Sequence, residues 1–292
     1  MDASRVHPHA QETRWQRANR LGRASFAVIS SDRRLLIFPA LSALVNVLIG
    51  GLSFALADHL IAGHSHSRRL ILIGGLIASY PATFVGIFSG VALAAMLASK
   101  LDGQPVDVGE AWRLARRRTG IILGWTLLVC TVGAVLRVAE EYLPLGGRVA
   151  ALVLDLSWSL ATLFAVPVIA YEGLGPQATL GRSAQLFRER WGEQTVGVIG
   201  LTFAGGVLAV PGVVLILAGA TSSGAGAVLL VGCGGAIILA VQAYTIALNQ
   251  VYRVYLYRST LAGAPVPGPF PEKDLQEPFR PRQRRWWSRG KA

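Results

Sequence analysis

Six apolar stretches, each long enough to cross a bilayer as a helix, leave this chain few folds to adopt. A hydrocarbon core of ~30 Å takes about 20 helical residues, because each backbone amide there must be satisfied within its own segment or in a closed barrel. The stretches run at about Leu35 to Ala57, Leu70 to Ser99, Ile121 to Ala139, Val149 to Tyr171, Thr195 to Gly219 and Gly226 to Leu248. Of 292 residues, 52% are hydrophobic and 15% charged. The apolar ones come in runs without the polar stripe of a soluble surface helix. The implied fold is all-α and polytopic, with a six-span membrane domain over residues 35–261. It is flanked by an N-terminal cytoplasmic segment (1–34) carrying an amphipathic helix and by a Pro-rich, basic cytoplasmic tail (262–292).

Charge sets the orientation. A net charge of +12 on a folded soluble domain would suggest nucleic acid, but here it brackets the spans, which excludes that partner. Of the 28 Lys and Arg residues, all but Arg68, Arg69, Arg137 and Arg148 lie before the first span, in the second and fourth connections, or after the last span. Basic residues near span ends stay cytoplasmic, so both termini are read as cytoplasmic in a multi-pass protein of the cell membrane. Residues Met1 to Arg34 exceed the basic lead of a cleaved signal and are read as retained. Cys130 and Cys233 both fall within spans and suit neither a disulfide nor a metal site.

Two of the cytoplasmic connections repeat with an offset of 72 residues, Asp107-Val108-Gly109 corresponding to Thr179-Leu180-Gly181. Leu114, Arg116, Arg118 and Gly120 then match Leu186, Arg188, Arg190 and Gly192. Asp107 and Thr179 are good N-caps, so both segments are expected to start helices there, with Glu110 completing a capping box in the first. Apolar positions (Val108, Ala111, Trp112, Ala115; Leu180, Ser183, Ala184, Phe187) share one face of each helix. Arg113, Arg116 and Arg117, and Arg182 and Arg188, lie on the other. Such helices suit the cytoplasmic interface, apolar face in the membrane and arginines on anionic lipid headgroups. Gly120 and Gly192 would turn the chain into the next span. The repeating unit, one interfacial helix and two spans in parallel orientation, has a weaker third copy around Trp15 to Pro39.

At Ser25-Phe26 through Asp32-Arg33, Leu36 to Pro39, Glu172 to Pro176, Arg182-Ser183-Ala184 and Trp191-Gly192-Glu193 the sequence resembles an uncharacterised family of bacterial multi-spanning membrane proteins, a domain of unknown function. The resemblance covers roughly Trp15 to Leu261 and implies a bacterial membrane fold but no reaction. The repeated segment is also similar, more loosely, to the membrane domain of glycerophosphodiester phosphodiesterases, whose catalytic barrel this sequence lacks.

Ionisable groups at lipid depth are functional candidates by default. Arg137 and Asp155 lie at similar depth on either side of the third connection and are expected to pair. A structural salt bridge is the first reading of that pair, with a substrate or proton site the alternative. Pro81, Pro167 and Pro211 interrupt spans two, four and five as helix breaks. Asn46, Gln242, Asn249 and Gln250 are placed to hydrogen-bond between helices. Small residues at Gly86, Gly90, Ala94 and Ala98, and at Gly120 and Gly124, favour close helix packing, within the chain or in a homo-oligomer. Tyr142, Tyr171, Tyr252, Tyr255 and Tyr257 fit an interfacial belt. Glu172 ends the fourth span as a turn-stabilising acid or a partner for an interfacial arginine. Asp58, His59, His64 and His66 share an external loop but lack the fixed spacing of a metal site. In the tail, four prolines from Pro265 to Pro271 make an extended spacer, and Arg280 to Lys291 with Trp286-Trp287 suits anionic headgroups.

No phosphate-binding loop, zinc motif, nucleophile elbow or triad is present, and no cofactor or metal is implied. The sequence therefore points to a non-enzymatic structural, lipid-interacting or assembly protein, with membrane lipids as partners. A transporter or channel for a small molecule or lipid is the alternative.

Overall fold

In a computed structural model, residues 26–61, 67–142, 145–189 and 193–262 are described, and among them no strand occurs. After a helical turn at 26–31 and a short 3-10 helix (Arg33–Leu36), nine helices follow. These are α1 (Ile37–Ile61), α2 (Ser67–Leu101), α3 (Val108–Arg117), α4 (Thr119–Tyr142) and α5 (Leu145–Ala161). Then come α6 (Ala165–Tyr171), α7 (Pro176–Glu189), α8 (Glu193–Ala220) and α9 (Gly224–Ala262). Helix α2 is the hub, touching α1, α3, α4, α6 and α9, while α8 packs chiefly on α9. Among the described residues, five helical segments are long and apolar enough to cross a membrane: Arg33–Ser53, Ser79–Leu101, Thr119–Ala139, Val149–Tyr171 and Gly224–Arg258. The chain is thus a multi-pass membrane protein, with Gly205–Ala220 a shorter apolar helix.

Burial is uneven along the bundle. Its core gathers where α2 and α9 end: Leu93, Met96 and Leu97 of α2, Ile122 of α4, Phe164 to Ala170, Leu186 of α7 and Val251 to Tyr257 of α9. Elsewhere α1, α4, α5, α8 and the first half of α9 expose Leu48, Leu127, Leu152, Leu208 and Leu229, each more than half exposed. Such an area in water would be strongly unfavourable, and a lipid environment removes the penalty. We call the well-packed end, which carries Arg34, Lys100, Arg113, Arg182 and Arg258, the basic end.

Several expectations need correction. Asp107 does cap α3, accepting from the Gly109 amide at 2.7 Å. Thr179, however, lies inside α7, which starts three residues earlier at Pro176, where the missing amide hydrogen costs nothing. Thr179 instead donates its hydroxyl to the Leu174 carbonyl at 2.9 Å. The chain turns into α4 at Arg118, the C-cap of α3, whereas Gly120 is already helical. The apolar face of α3 is divided: Ala111 and Ala115 are buried, while Trp112, which meets Phe88 edge-on at 4.9 Å and stacks on Phe38 at 6.4 Å, is 44% exposed. Tyr252, Tyr255 and Tyr257 are core residues and not an interfacial belt. Gly192, Trp15, His64, His66 and the tail lie outside the described residues.

The closest helix pairing is α8 on α9. Gly205, Gly212 and Gly219 recur every seven residues along α8 and are all buried. A Cβ on Gly212 would lie 2.8 Å from the Gly234 carbonyl oxygen and from Ile238, and one on Gly219 would lie 2.7 Å from Val231. Of the glycines singled out from sequence, Gly90 contacts Val166 and Gln250, and Gly124 receives Pro176, whereas Gly86 and Gly120 face open space. We predict that Gly212→Ala costs about 1–3 kcal/mol through overpacking, read as a lower unfolding temperature in detergent. Gly206→Ala, with nothing within 4 Å of the added carbon, should be neutral or slightly stabilising.

Candidate functional site at the basic end

The fourth span is interrupted. Helix α5 stops at Ala161, residues 162–164 form a turn, and α6 resumes at Ala165. Pro167 follows as the third residue of α6, where an absent N–H removes no bond from the new helix. Pro81 and Pro211 sit at exposed positions, and α2 and α8 continue through both, so of the three only Pro167 accompanies a break. The break frees the Phe164 amide in the fully buried core, and the buried Ser183 hydroxyl of α7 accepts from it at 3.0 Å. Serine is required at that place for its acceptor, although sequence alone marks it only as part of an apolar face.

Beyond α6, Gly173 takes a left-handed φ of +63°, which lets the chain reverse into α7. A side chain there would collide with the Arg118 guanidinium. The residue before it, Glu172, is the hub of the site. Its Oε1 accepts from Arg182 Nε at 3.2 Å and from the Tyr257 hydroxyl at 2.7 Å, joining α7 and α9. Tyr171 donates to the Ala94 carbonyl of α2 at 2.7 Å and stacks on Tyr257 with centroids 5.3 Å apart. The Arg258 guanidinium lies 5.8 Å from the centre of the Tyr171 ring and forms a two-pronged bond to Asp102 at 2.7 and 2.9 Å. Lys100 reaches the Ser31 hydroxyl at 2.6 Å, and Arg34 the Val106 carbonyl at 3.4 Å. The Arg258 hydrogen bonds hold the Asp102 carboxyl below its ordinary 3.8, against an opposing desolvation.

Around this stitched end, Arg116, Arg117 and Arg188 are exposed. Arg113 is exposed too and lies 3.9 Å from the carboxylate of Asp107. Arg182, expected beside them on the lipid face, is turned inward to Glu172 and also bonds Gln185 at 3.3 Å. A shallow cleft of about 160 Å³ opens beside Ser99, Glu110 and Tyr171, below the ~300 Å³ at which small-molecule sites begin.

Arg137 and Asp155 do not pair. Both are exposed, and no ion pair joins them. Both helices run past the expected span ends, α4 to Tyr142 and α5 from Leu145. Asp155 therefore lies about 15 Å along its helix, while Arg137 lies about 7.5 Å from the end of α4 at 1.5 Å per residue. The polar residues divide as well. Gln250 bonds between helices, to the Gly90 carbonyl at 3.1 Å. Asn46 and Asn249 bond within their own helices, to Ser42 and to the Thr245 carbonyl, and Gln242 is exposed. Among the described residues no group of His, Cys, Asp and Glu could hold a metal, and both cysteines are free.

An all-helical multi-pass bundle closed at one end by a polar and aromatic network defines the class of protein. Within that class, residues 71–266 match a family of unknown function, DUF6159, and the chain belongs to it. No curated protein, glycerophosphodiester phosphodiesterases included, and no solved structure matches the chain.

Two predictions follow from this geometry. Ser183→Ala strands the Phe164 amide and is expected to cost about 1–3 kcal/mol, whereas Ser183→Thr, which keeps the acceptor, should cost less; thermal unfolding in detergent compares them. The Asp102–Arg258 clasp stabilises the fold above the unfolded carboxyl value near 3.8 and loses its effect as pH falls through the lower folded value. Wild type should therefore approach Asp102→Asn in stability below about pH 4 and exceed it at pH 7, the gap shrinking in high salt.

Proposed function

We propose that the protein is a non-enzymatic element of the cell membrane, with six spans and both termini cytoplasmic, that engages anionic lipid headgroups in a structural or assembly role. The observation carrying this reading is the exposed arginine rim, Arg116, Arg117 and Arg188, around an end where Arg182 and Arg258 are taken up by Glu172 and Asp102. Cations left free beside apolar spans have headgroup phosphates as their natural partners, each contributing about 1 kcal/mol near an anionic surface. The uneven distribution of Lys and Arg supports placing this end in the cytoplasm. A sixth span is supported by α8, 28 residues long and packed along α9 through its glycines. A sealed bundle is favoured over a conduit by the broken fourth span, since Phe164 is fully buried and its amide is satisfied.

Nanodiscs of mixed phosphatidylglycerol and phosphatidylcholine test the rim. The wild-type chain should enrich phosphatidylglycerol in the lipids it retains, and Arg116→Gln/Arg117→Gln/Arg188→Gln should lose most of that enrichment, as should wild type in high salt. Equal enrichment in both would sink the reading. Cysteines placed near Pro81, Asp155, Pro167 and Pro211 should resist an impermeant thiol reagent, and deep labelling would favour the transporter instead.

A further inference from the structure

Among the described residues, Arg253, near the basic end of α9, has no counter-ion. The residue is half-buried, its Nε is shut off from solvent without a hydrogen-bond partner, and no ion pair reaches its guanidinium. One turn earlier, the Oδ1 of Asn249 is likewise buried and unpartnered, its amide nitrogen being committed to Thr245. An unmatched donor with a full positive charge thus sits one helical turn from an unmatched acceptor.

The two belong to one polar track. Gln242, Asn249 and Arg253 recur at i, i+7 and i+11, within an arc of about 40° at 100° per residue. Gln242, at the far end, is exposed. On the flank of that arc Thr245 meets Gly205 of α8, so the track runs beside the α8–α9 seam. Farther along α8 from Gly205, on the flank of the face that meets α9, Leu208 is more than half exposed. The surroundings are therefore a cation and an acceptor near the basic end, continued by an apolar surface along the span.

We propose that Arg253 and Asn249 hold the headgroup of one anionic phospholipid, the open side of the guanidinium on its phosphate and the Asn249 side chain turning out to accept from a headgroup hydroxyl, with an acyl chain along α8. A guanidinium matches phosphate geometry in a fork of charge-assisted bonds, and a buried cation requires such a partner. The hydroxyl follows from the orphan acceptor, which a bare phosphodiester oxygen cannot satisfy. This site rests on the reading of the protein as a binder of anionic lipid but differs from the rim in kind, since it holds a single molecule and uses none of the rim arginines.

The test uses the full chain, purified in mild detergent and stripped of lipid, with native mass spectrometry and thermal unfolding as readouts. Phosphatidylglycerol, phosphatidylethanolamine, phosphatidylcholine and inorganic phosphate are the probes. Wild type should retain one phosphatidylglycerol per chain and unfold at a higher temperature when it is added. Arg253→Met should bind it roughly tenfold more weakly or worse, from the loss of a charged hydrogen bond, and show no such rise. Asn249→Leu should weaken it less. Because the lipid-free protein carries an uncompensated cation, Arg253→Met should be as stable as wild type or more so without lipid. A less stable lipid-free variant would mean that Arg253 has a structural partner and would overturn the proposal. Unchanged phosphatidylglycerol binding by the variant would overturn it too, as would an equal temperature rise with inorganic phosphate or phosphatidylcholine. The rim variant separates the two readings: it should lose bulk enrichment yet keep its one bound lipid, and Arg253→Met should do the reverse.

Discussion

A backbone amide released inside a helix bundle must find an acceptor, and the bond from Phe164 to the Ser183 hydroxyl answers that requirement at the centre of this protein. It lets the fourth span break without leaving an orphan in an apolar core. The break divides α5, exposed along most of its length, from α6, buried almost completely. Because the acceptor sits on α7, the bond also fixes how the reversing segment lies against the span that precedes it. Gly173, the Glu172 hub and the fit of Pro176 into Gly124 continue that constraint to the end of the bundle.

The two halves of the bundle are held by different forces. Toward the basic end, aromatic and aliphatic side chains are buried to protein-like extent, and charges are spent in pairs that tie the ends of α2, α6, α7 and α9 together. Away from it, helices present apolar side chains outward, and contact depends on close backbone approach, most clearly where glycines of α8 meet α9. That contrast follows from solvent. In hydrocarbon, burying leucine brings little advantage, so small residues and van der Waals fit take over.

Much was legible from composition and spacing. Long apolar runs located the helices at Ile37–Ile61, Ser67–Leu101 and Thr119–Tyr142 to within a few residues, because span length is set by bilayer thickness. Asp107 as a cap, Glu172 as partner of an arginine, and Gln250 as a bridge between helices were readable for local reasons. The separation of Arg137 from Asp155 was not, since it depends on where α4 ends, where α5 begins and which way each helix faces, none of which local spacing sets. The role of Ser183 was hidden as well, because a serine at the edge of an apolar face looks the same whether or not a broken helix lies across from it.

The sequence by itself determined that the chain is helical, that it spans a membrane and that its cations gather on alternate connections, because hydrocarbon imposes length and charge rules that need no tertiary information. Only the tertiary structure decided which cations remain free. Arg182 and Arg258 look like Arg116 and Arg117 in the sequence, yet the first two are taken up by Glu172 and Asp102 while the others stay exposed. Arg253, ordinary in the sequence, becomes a half-buried charge without a partner among the described residues. Partners for a charge are supplied by segments far away along the chain, and their arrival depends on helix register, on glycine-permitted contact and on the place where one span breaks.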